Sequence, residues 1–300
     1  MGRLAALLGV LIAGAAMAAP GAAAGAAAGA AGTAPSRKAA VPQRICSVSL
    51  MGDELLFLLV PPERVACVST FADDVEASNV AGRYPATVPR LVARTEPVIA
   101  TRPDLIVAAP WNDRSFLAGL KALGVQSLTL DAAEDFDGIE RTLLALGKAV
   151  GAEEQARARA AELRARLAGL ERALSRAEPL KRPRVLSLSH LVVAGSGTTV
   201  DALIRHAGAV NAAAAAGIAG HRKLSTEQIL ALDPDVLLLG QGLDTDAASV
   251  LRAYPHLGAT RAAKSGRVIL LPPRLLTTVS PFLVEGAEQL ARKLHPEAFP

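Results

Sequence analysis

The chain has 300 residues, of which 51% are apolar, 20% charged and 3% aromatic, with a formal net charge of +4. That apolar content excludes general disorder, which needs low hydrophobicity and high net charge, and at about 100–200 residues per domain the length suits two domains or one large one. So small a charge with so few rings argues against a nucleic-acid partner, since phosphate tracks need clustered Lys/Arg and base stacking needs aromatics.

The first segment, Met1–Ala19, carries Arg3, an apolar run from Leu4 to Met17, and the small-x-small sequence Ala16-Met17-Ala18 ahead of Pro20. This is the pattern of a cleaved secretory leader, its apolar run too short for a comfortable membrane span, so we expect export to the periplasm. Cys46 lies far beyond the cleavage region, so a lipid anchor on an N-terminal cysteine is not indicated. Residues 20–43 are rich in Ala and Gly and read as a tether.

Past residue 43, short apolar runs alternate with helical patterns. Strands are predicted at Arg44–Leu50, Arg64–Ser69, Asp104–Ala109 and Gln126–Leu130, and helices at Asp53–Leu59 and Ser115–Leu123. Runs that stay apolar without alternating indicate strands covered on both faces, hence parallel strands with crossover helices. Cys46 and Cys67, the only cysteines, fall in two of these runs. Export permits a disulfide between them; two buried thiols is an equal reading, and no CxxC or metal-type spacing exists.

From Glu153 to about Ala177 there is no strand signal and no proline, and Leu163, Leu167, Leu170 and Leu174 form one helical stripe. The alternation then restarts. Strands are predicted at Arg184–Ser189, Leu191–Ala194, Asp235–Leu239 and Arg267–Leu271, with helices at Val200–Ala207, Ser225–Leu232 and Ser280–Leu294. The expected organisation is an α/β lobe at 44–150, a linking helix at 151–180 and a second α/β lobe at 181–300.

An internal repeat supports two related halves. Glu96-Pro-Val-Ile-Ala-Thr-Arg-Pro103-Asp104-Leu-Ile-Val aligns with Glu227-Gln-Ile-Leu-Ala-Leu-Asp-Pro234-Asp235-Val-Leu-Leu. Each copy reads as a helix stopped by proline and feeding a buried strand.

With this repeat, the single long helix and the segment Ala194-Gly-Ser-Gly-Thr-Thr-Val-Asp-Ala-Leu-Ile-Arg-His-Ala-Gly-Ala-Val-Asn211, the chain resembles the periplasmic solute-binding proteins of ABC importers for iron complexes and cobalamin. The resemblance runs from about Arg44 to the C-terminus. It implies two pseudo-symmetric lobes with mainly parallel sheets, joined by one long helix, and a cleft between them that holds one ligand: a ferric siderophore, haem or cobalamin. It also implies a membrane permease as partner, no catalysis, and docking onto that permease through Glu96 and Glu227. Either glutamate alone would also be explained by the favourable place of a carboxylate in the first turn of a helix.

Ligands of open parallel sheets sit beyond the carboxyl ends of the strands. Candidate ligand-binding residues are therefore Phe71, Trp111, Asn112, His190 and Arg274, each just after a predicted strand. The resemblance adds Tyr84, since haem binders of this family supply an axial tyrosine or histidine from the corresponding loop. The family's cobalamin binders place a tryptophan where this chain has Ala109, shortly before Trp111. A directly bound zinc or manganese ion is not expected, because all five histidines lie after residue 189 and the first lobe has none. The rival reading is an exported two-lobed α/β enzyme; against it, Gly195-Ser-Gly197 does not complete a GxGxxG loop and no GxSxG elbow is present. A monomer working with a permease and a small metal chelate, without nucleic acid or a resident cofactor, is the expected whole.

Overall fold

The computed structural model describes residues 40–176, 181–189, 191–240, 246–253 and 255–299. The expected leader, most of the tether and the candidate His190 lie outside the described residues. The N-terminal half contains β1 (Ile45–Ser47), α1 (Leu50–Leu59), β2 (Val65–Ser69), β3 (Arg90–Leu91), α2 (Thr95–Ala100), β4 (Leu105–Ala108), α3 (Arg114–Ala122), β5 (Ser127–Thr129) and α4 (Phe136–Ala149). Its five strands pair in the order β3-β2-β1-β4-β5, every pairing parallel.

The continuous apolar runs have the physical cause that the sequence suggests. Ile45, Val68, Leu105 and Val107 enter one buried cluster with α1 and α4 residues, whereas Cys46, Cys67, Ile106 and Ala108 enter another with Val98, Phe116 and Leu120 of α2 and α3. Successive side chains point to opposite faces of a strand, and here both faces are covered. Cys46 and Cys67 are register partners on neighbouring strands and share one face. They form a disulfide, which decides between the two readings left open above.

Helix α5 (Glu153–Arg176) links the halves. Its 24 residues span about 36 Å at 1.5 Å per residue. Ala156 and Ala160 pack into the N-terminal core; Leu163, Leu170 and Leu174 pack into the C-terminal one, with Leu167 half-buried beside them. The helix is thus shared between the two cores, small residues first and leucines after. Its start lies against α4 so closely that a Cβ on Gly147 would meet the Ala156 Cβ at 2.3 Å. Two arginines of its outer faces form surface pairs with other elements, Arg164 with Glu140 at 3.2 Å and Arg166 with Glu288 at 2.7 Å.

The C-terminal half contains β6 (Arg184–Ser189), β7 (Val192–Ala194), α6 (Thr199–His206), β8 (Val210–Asn211), α7 (Ala212–Ala215), β9 (His221–Lys223), α8 (Thr226–Leu232) and β10 (Val236–Gly240). It continues with α9 (Ala247–Ala253), α10 (Arg261–Lys264), β11 (Val268–Leu271), α11 (Pro273–Thr277) and α12 (Leu283–Leu294). The main strand order is β11-β10-β6-β7-β9, with β8 also paired to β6. β10 is parallel to β6 and β11, while β7 runs antiparallel between β6 and β9. The architecture is α/β, two sheets of mainly parallel strands joined by one long helix.

Among the described residues, further contacts brace the halves besides α5. Phe136 of α4 meets His206 of α6 edge-on, ring centroids 4.9 Å apart. The segment between α11 and α12 sends Val279 into the N-terminal core, with Phe282 packed beside it.

Candidate functional site

In the N-terminal sheet the chain leaves β1 toward β2 on one side, while β4 lies on the other, which opens a crevice beyond the carboxyl ends of β1 and β4. Asn112 closes the floor of this crevice. Its Oδ1 accepts from the Ala109 N–H at 2.7 Å and its Nδ2 donates to the Val48 carbonyl at 3.1 Å, so one side chain pins the ends of both strands. Trp111, the preceding residue, is half-buried.

Above this floor lies a cavity of about 350 Å³ between the two sheets. The N-terminal half contributes Glu76, Ala77, Pro110, Trp111 and Ala132–Glu134. The C-terminal half contributes Ser187–Ser189, Val192, Ala194, Gly197–Val200, Gly220, His221, Gly240, Pro273, Leu276, Thr277 and Val279. Ser189 and Gly240 are the last residues of β6 and β10, so strand ends face the cavity from this side too. Among the described residues that line it there is no Arg or Lys. Its polar side chains are hydroxyls, the carboxylates Glu76 and Glu134, the Trp111 indole and His221. Burial pushes the His221 imidazole below its ordinary value, which favours the neutral ring. No group of three or more His, Cys, Asp or Glu that could hold a bare metal ion occurs among the described residues.

The Gly195-Ser-Gly197 turn is not an open anion cradle. The Gly195 and Ser196 N–H groups donate to the Gly220 and Ile218 carbonyls at 2.8 and 2.9 Å. A Cβ on Gly195 would fall 2.0 Å from the Ile218 oxygen, so glycine is needed for this close approach. Gly197 has φ +70°, a conformation glycine adopts without strain. Thr198 then caps α6, its Oγ1 accepting from the Asp201 N–H at 3.1 Å.

Of the candidate ligand-binding residues, Trp111 lines the cavity. His190 lies outside the described residues, and the other four do not line the cavity. Tyr84 is buried in the N-terminal core, its hydroxyl donating to the Asp53 carbonyl at 2.7 Å and its ring edge-on to Phe57. Burial, reinforced by Asp53 and Glu54, pushes its phenol well above the ordinary value, so a phenolate ligand is disfavoured there. The Asn112 side chain is spent on backbone and is not among the cavity-lining groups. Phe71 is exposed, in a single 3₁₀ turn outside the lining. Arg274 is half-buried and its neighbours Pro273, Leu276 and Thr277 line the cavity, but it does not. The residues missed by sequence, Glu76, Glu134, His221 and Thr277, sit in loops or at element ends, where no periodicity marks them.

Behind the cavity, α1 carries two adjacent buried carboxyls. Asp53 accepts from the Ser69 N–H at 3.1 Å and from the Ser69 hydroxyl. Desolvation outweighs these hydrogen bonds and raises its pKa to about 6. Burial raises Glu54 likewise, against hydrogen bonds from Ser280, Thr278 and Asn79.

Glu96 and Glu227 occupy equivalent places. Each is the second residue of its helix, α2 or α8, and each is exposed, away from the cavity. The Ser225 hydroxyl donates to Glu227 at 2.7 Å and holds that carboxyl below its ordinary range. Ser225 and Gln228 complete a capping box on α8, whereas α2 has no side-chain cap.

Two open α/β sheets facing one another across a cavity, bridged by one helix, define a two-lobed solute-binding protein. The chain belongs to the periplasmic binding protein family, whose profile matches residues 45–275; members of this family are non-enzymatic transport components. It is 27% identical over 263 residues to a protein of Halobacterium salinarum named a cobalamin-binding protein, covering 85% of this chain and 70% of that one. An uncharacterized ABC transporter substrate-binding lipoprotein of Bacillus subtilis is 25% identical over 265 residues, covering 86% and 82%. The structure of a periplasmic heme binding protein from Pseudomonas aeruginosa superposes with a TM-score of 0.73 at 30% identity, covering 86% of this chain and 95% of that one.

Proposed function

We propose that this protein is the substrate-binding component of an ABC importer that captures a corrinoid in the inter-lobe cavity and delivers it to a membrane permease. The observation that carries the ligand class is the lining. A haem or other polycarboxylate ligand would meet Glu76 and Glu134 with no Arg or Lys among the described lining residues to offset them, and unpaired like charges at close range oppose binding. A corrinoid carries an amide-decorated rim. Amides donate to carboxylates and exchange hydrogen bonds with hydroxyls such as those of Ser187 and Thr199, while the flat ring suits stacking on Trp111. The Halobacterium relative bears a cobalamin-binding name, which agrees with this choice.

Function of this kind places the mature protein in the periplasm, after removal of the leader, as a monomer that meets the permease through Glu96 and Glu227. Native mass spectrometry of protein purified from its own periplasm tests the reading. A one-to-one complex with a retained corrinoid is expected. Retained haem, the ligand of the Pseudomonas structure's name, would instead show that a dicarboxylate is accommodated, and the ligand assignment would fail.

A further inference from the structure

Glu54 is fully buried, yet the capture just described gives it no role. Its two carboxylate oxygens are divided between groups of the two halves. Oε1 accepts from the Asn79 N–H at 2.9 Å and from Asn79 Nδ2 at 2.8 Å. Oε2 accepts from the hydroxyls of Thr278 at 2.5 Å and Ser280 at 2.6 Å. Asn79 Nδ2 also donates to the Arg274 carbonyl at 2.9 Å, which closes a ring of hydrogen bonds between the halves.

The partners matter because of what adjoins them. Asn79 follows Glu76 and Ala77, which line the cavity from the N-terminal side; Thr278 lies between Thr277 and Val279, which line it from the C-terminal side. A buried carboxylate is costly to desolvate and is tolerated only when its acceptor sites are filled. Four donors from three residues fill them here, and no apolar side chain could hold these donors together. Breaking a single arm leaves a buried charge or a buried donor unpaired, so the arrangement has two discrete states, joined or open.

We propose that Glu54 is a positioning residue, a latch that holds the 76–79 loop and the 277–280 segment at a fixed separation and thereby presets the cavity before ligand arrives. Preorganisation of this kind raises affinity by removing ordering costs from the binding step. The effect on affinity rests on the function proposed above; the effect on the empty protein does not.

The test uses spin labels at Lys121 and Lys264, exposed positions on α3 and α10 outside the cavity, and reads their distance distribution in the ligand-free full-length protein. The unsubstituted protein should give one narrow distribution. Glu54→Ala should broaden it at least twofold, and Glu54→Gln, which keeps one acceptor oxygen, should recover most of the narrowness. Should Glu54→Ala fail to fold, the Thr278→Val/Ser280→Ala pair removes the same arm from the other side and should broaden the distribution alike. A distribution as narrow as the parent's in the folded variants overturns the latch. In a parallel titration with cyanocobalamin, the broadened variants should bind about tenfold more weakly than the parent. Equal affinity with a broadened distribution would overturn the claim that the latch presets the cavity, and failure of the parent itself to bind would count against the ligand assignment alone.

Discussion

Asp104 and Arg44 hold each other at both ends of one peptide register: the Arg44 N–H donates to Asp104 Oδ1 at 3.0 Å, and the Asp104 N–H donates to the Arg44 carbonyl at 2.9 Å. The second half repeats the device. The Arg184 N–H donates to Asp235 Oδ2 at 2.8 Å, and the Asp235 N–H returns to the Arg184 carbonyl at 2.8 Å. In each half the aspartate that follows the repeat's proline locks the start of the central strand, β1 or β6, to the strand beside it.

Removing either carboxylate leaves a strand-initiating N–H without its partner. Asp104→Ala and Asp235→Ala should each destabilise by about 0.5–1.5 kcal/mol, measured by chemical denaturation; Asp104 also loses the Gln43 N–H it accepts from and Asp235 its contact with Arg261. A loss at one site and none at the other would deny that the clamps are equivalent.

Asp53 should contribute stability that falls as pH rises from about 4 to 7. Asp53 has a pKa near 6 in the folded protein against 3.8 ordinarily, so the folded state binds this proton more tightly than the unfolded chain. The stabilisation is complete below the unfolded value and lost as pH passes through 6. At roughly 1.4 kcal/mol per pH unit it amounts to about 3 kcal/mol. Glu54 is shifted in the same direction and adds to the slope. Asp53→Asn should give a visibly shallower decline in denaturant midpoints across this window, and an unchanged slope would refute the assignment.

The Cys46–Cys67 bridge joins residues 21 apart in sequence, a loop whose closure contributes about 3 kcal/mol in the chain-entropy account. Cys46→Ala/Cys67→Ala should lower unfolding free energy by that order. Both sulfurs are buried, so mild reductant should leave the native bridge intact until the chain unfolds, as thiol labelling would reveal.

Reversing both exposed glutamates, Glu96→Lys and Glu227→Lys, should abolish uptake in cells while leaving solution affinity for the ligand unchanged. The docking role would be untenable if affinity fell in parallel with uptake. Electrostatic contacts of this kind also predict transport that weakens with ionic strength in reconstituted vesicles.

Legibility of the fold followed burial. Strands covered on both faces, such as Leu105–Ala108 and Val236–Gly240, announce themselves as unbroken apolar runs, and the repeat exposed the kinship of the halves. Helix α4 carries a stripe of Ile139, Leu143 and Leu146, but Gly138 and Gly147 dilute its helical signal. The cavity was legible only where a strand end fixes a side chain, as at Trp111. Tyr84 defeats local reasoning: its burial is decided by the Asp53 carbonyl and the Phe57 ring, both remote in sequence. Glu76, Glu134 and His221 meet only because two halves of the chain face each other, a juxtaposition no local pattern encodes.

Trp111 is the only tryptophan in the chain and lies on the cavity wall, so its fluorescence reports occupancy directly. Titration at neutral pH with cyanocobalamin, and separately with haemin, tests the central claim. The account predicts saturable one-to-one quenching by the corrinoid, with binding at least tenfold weaker for haemin; tighter binding of haemin, or no response to either, would contradict it.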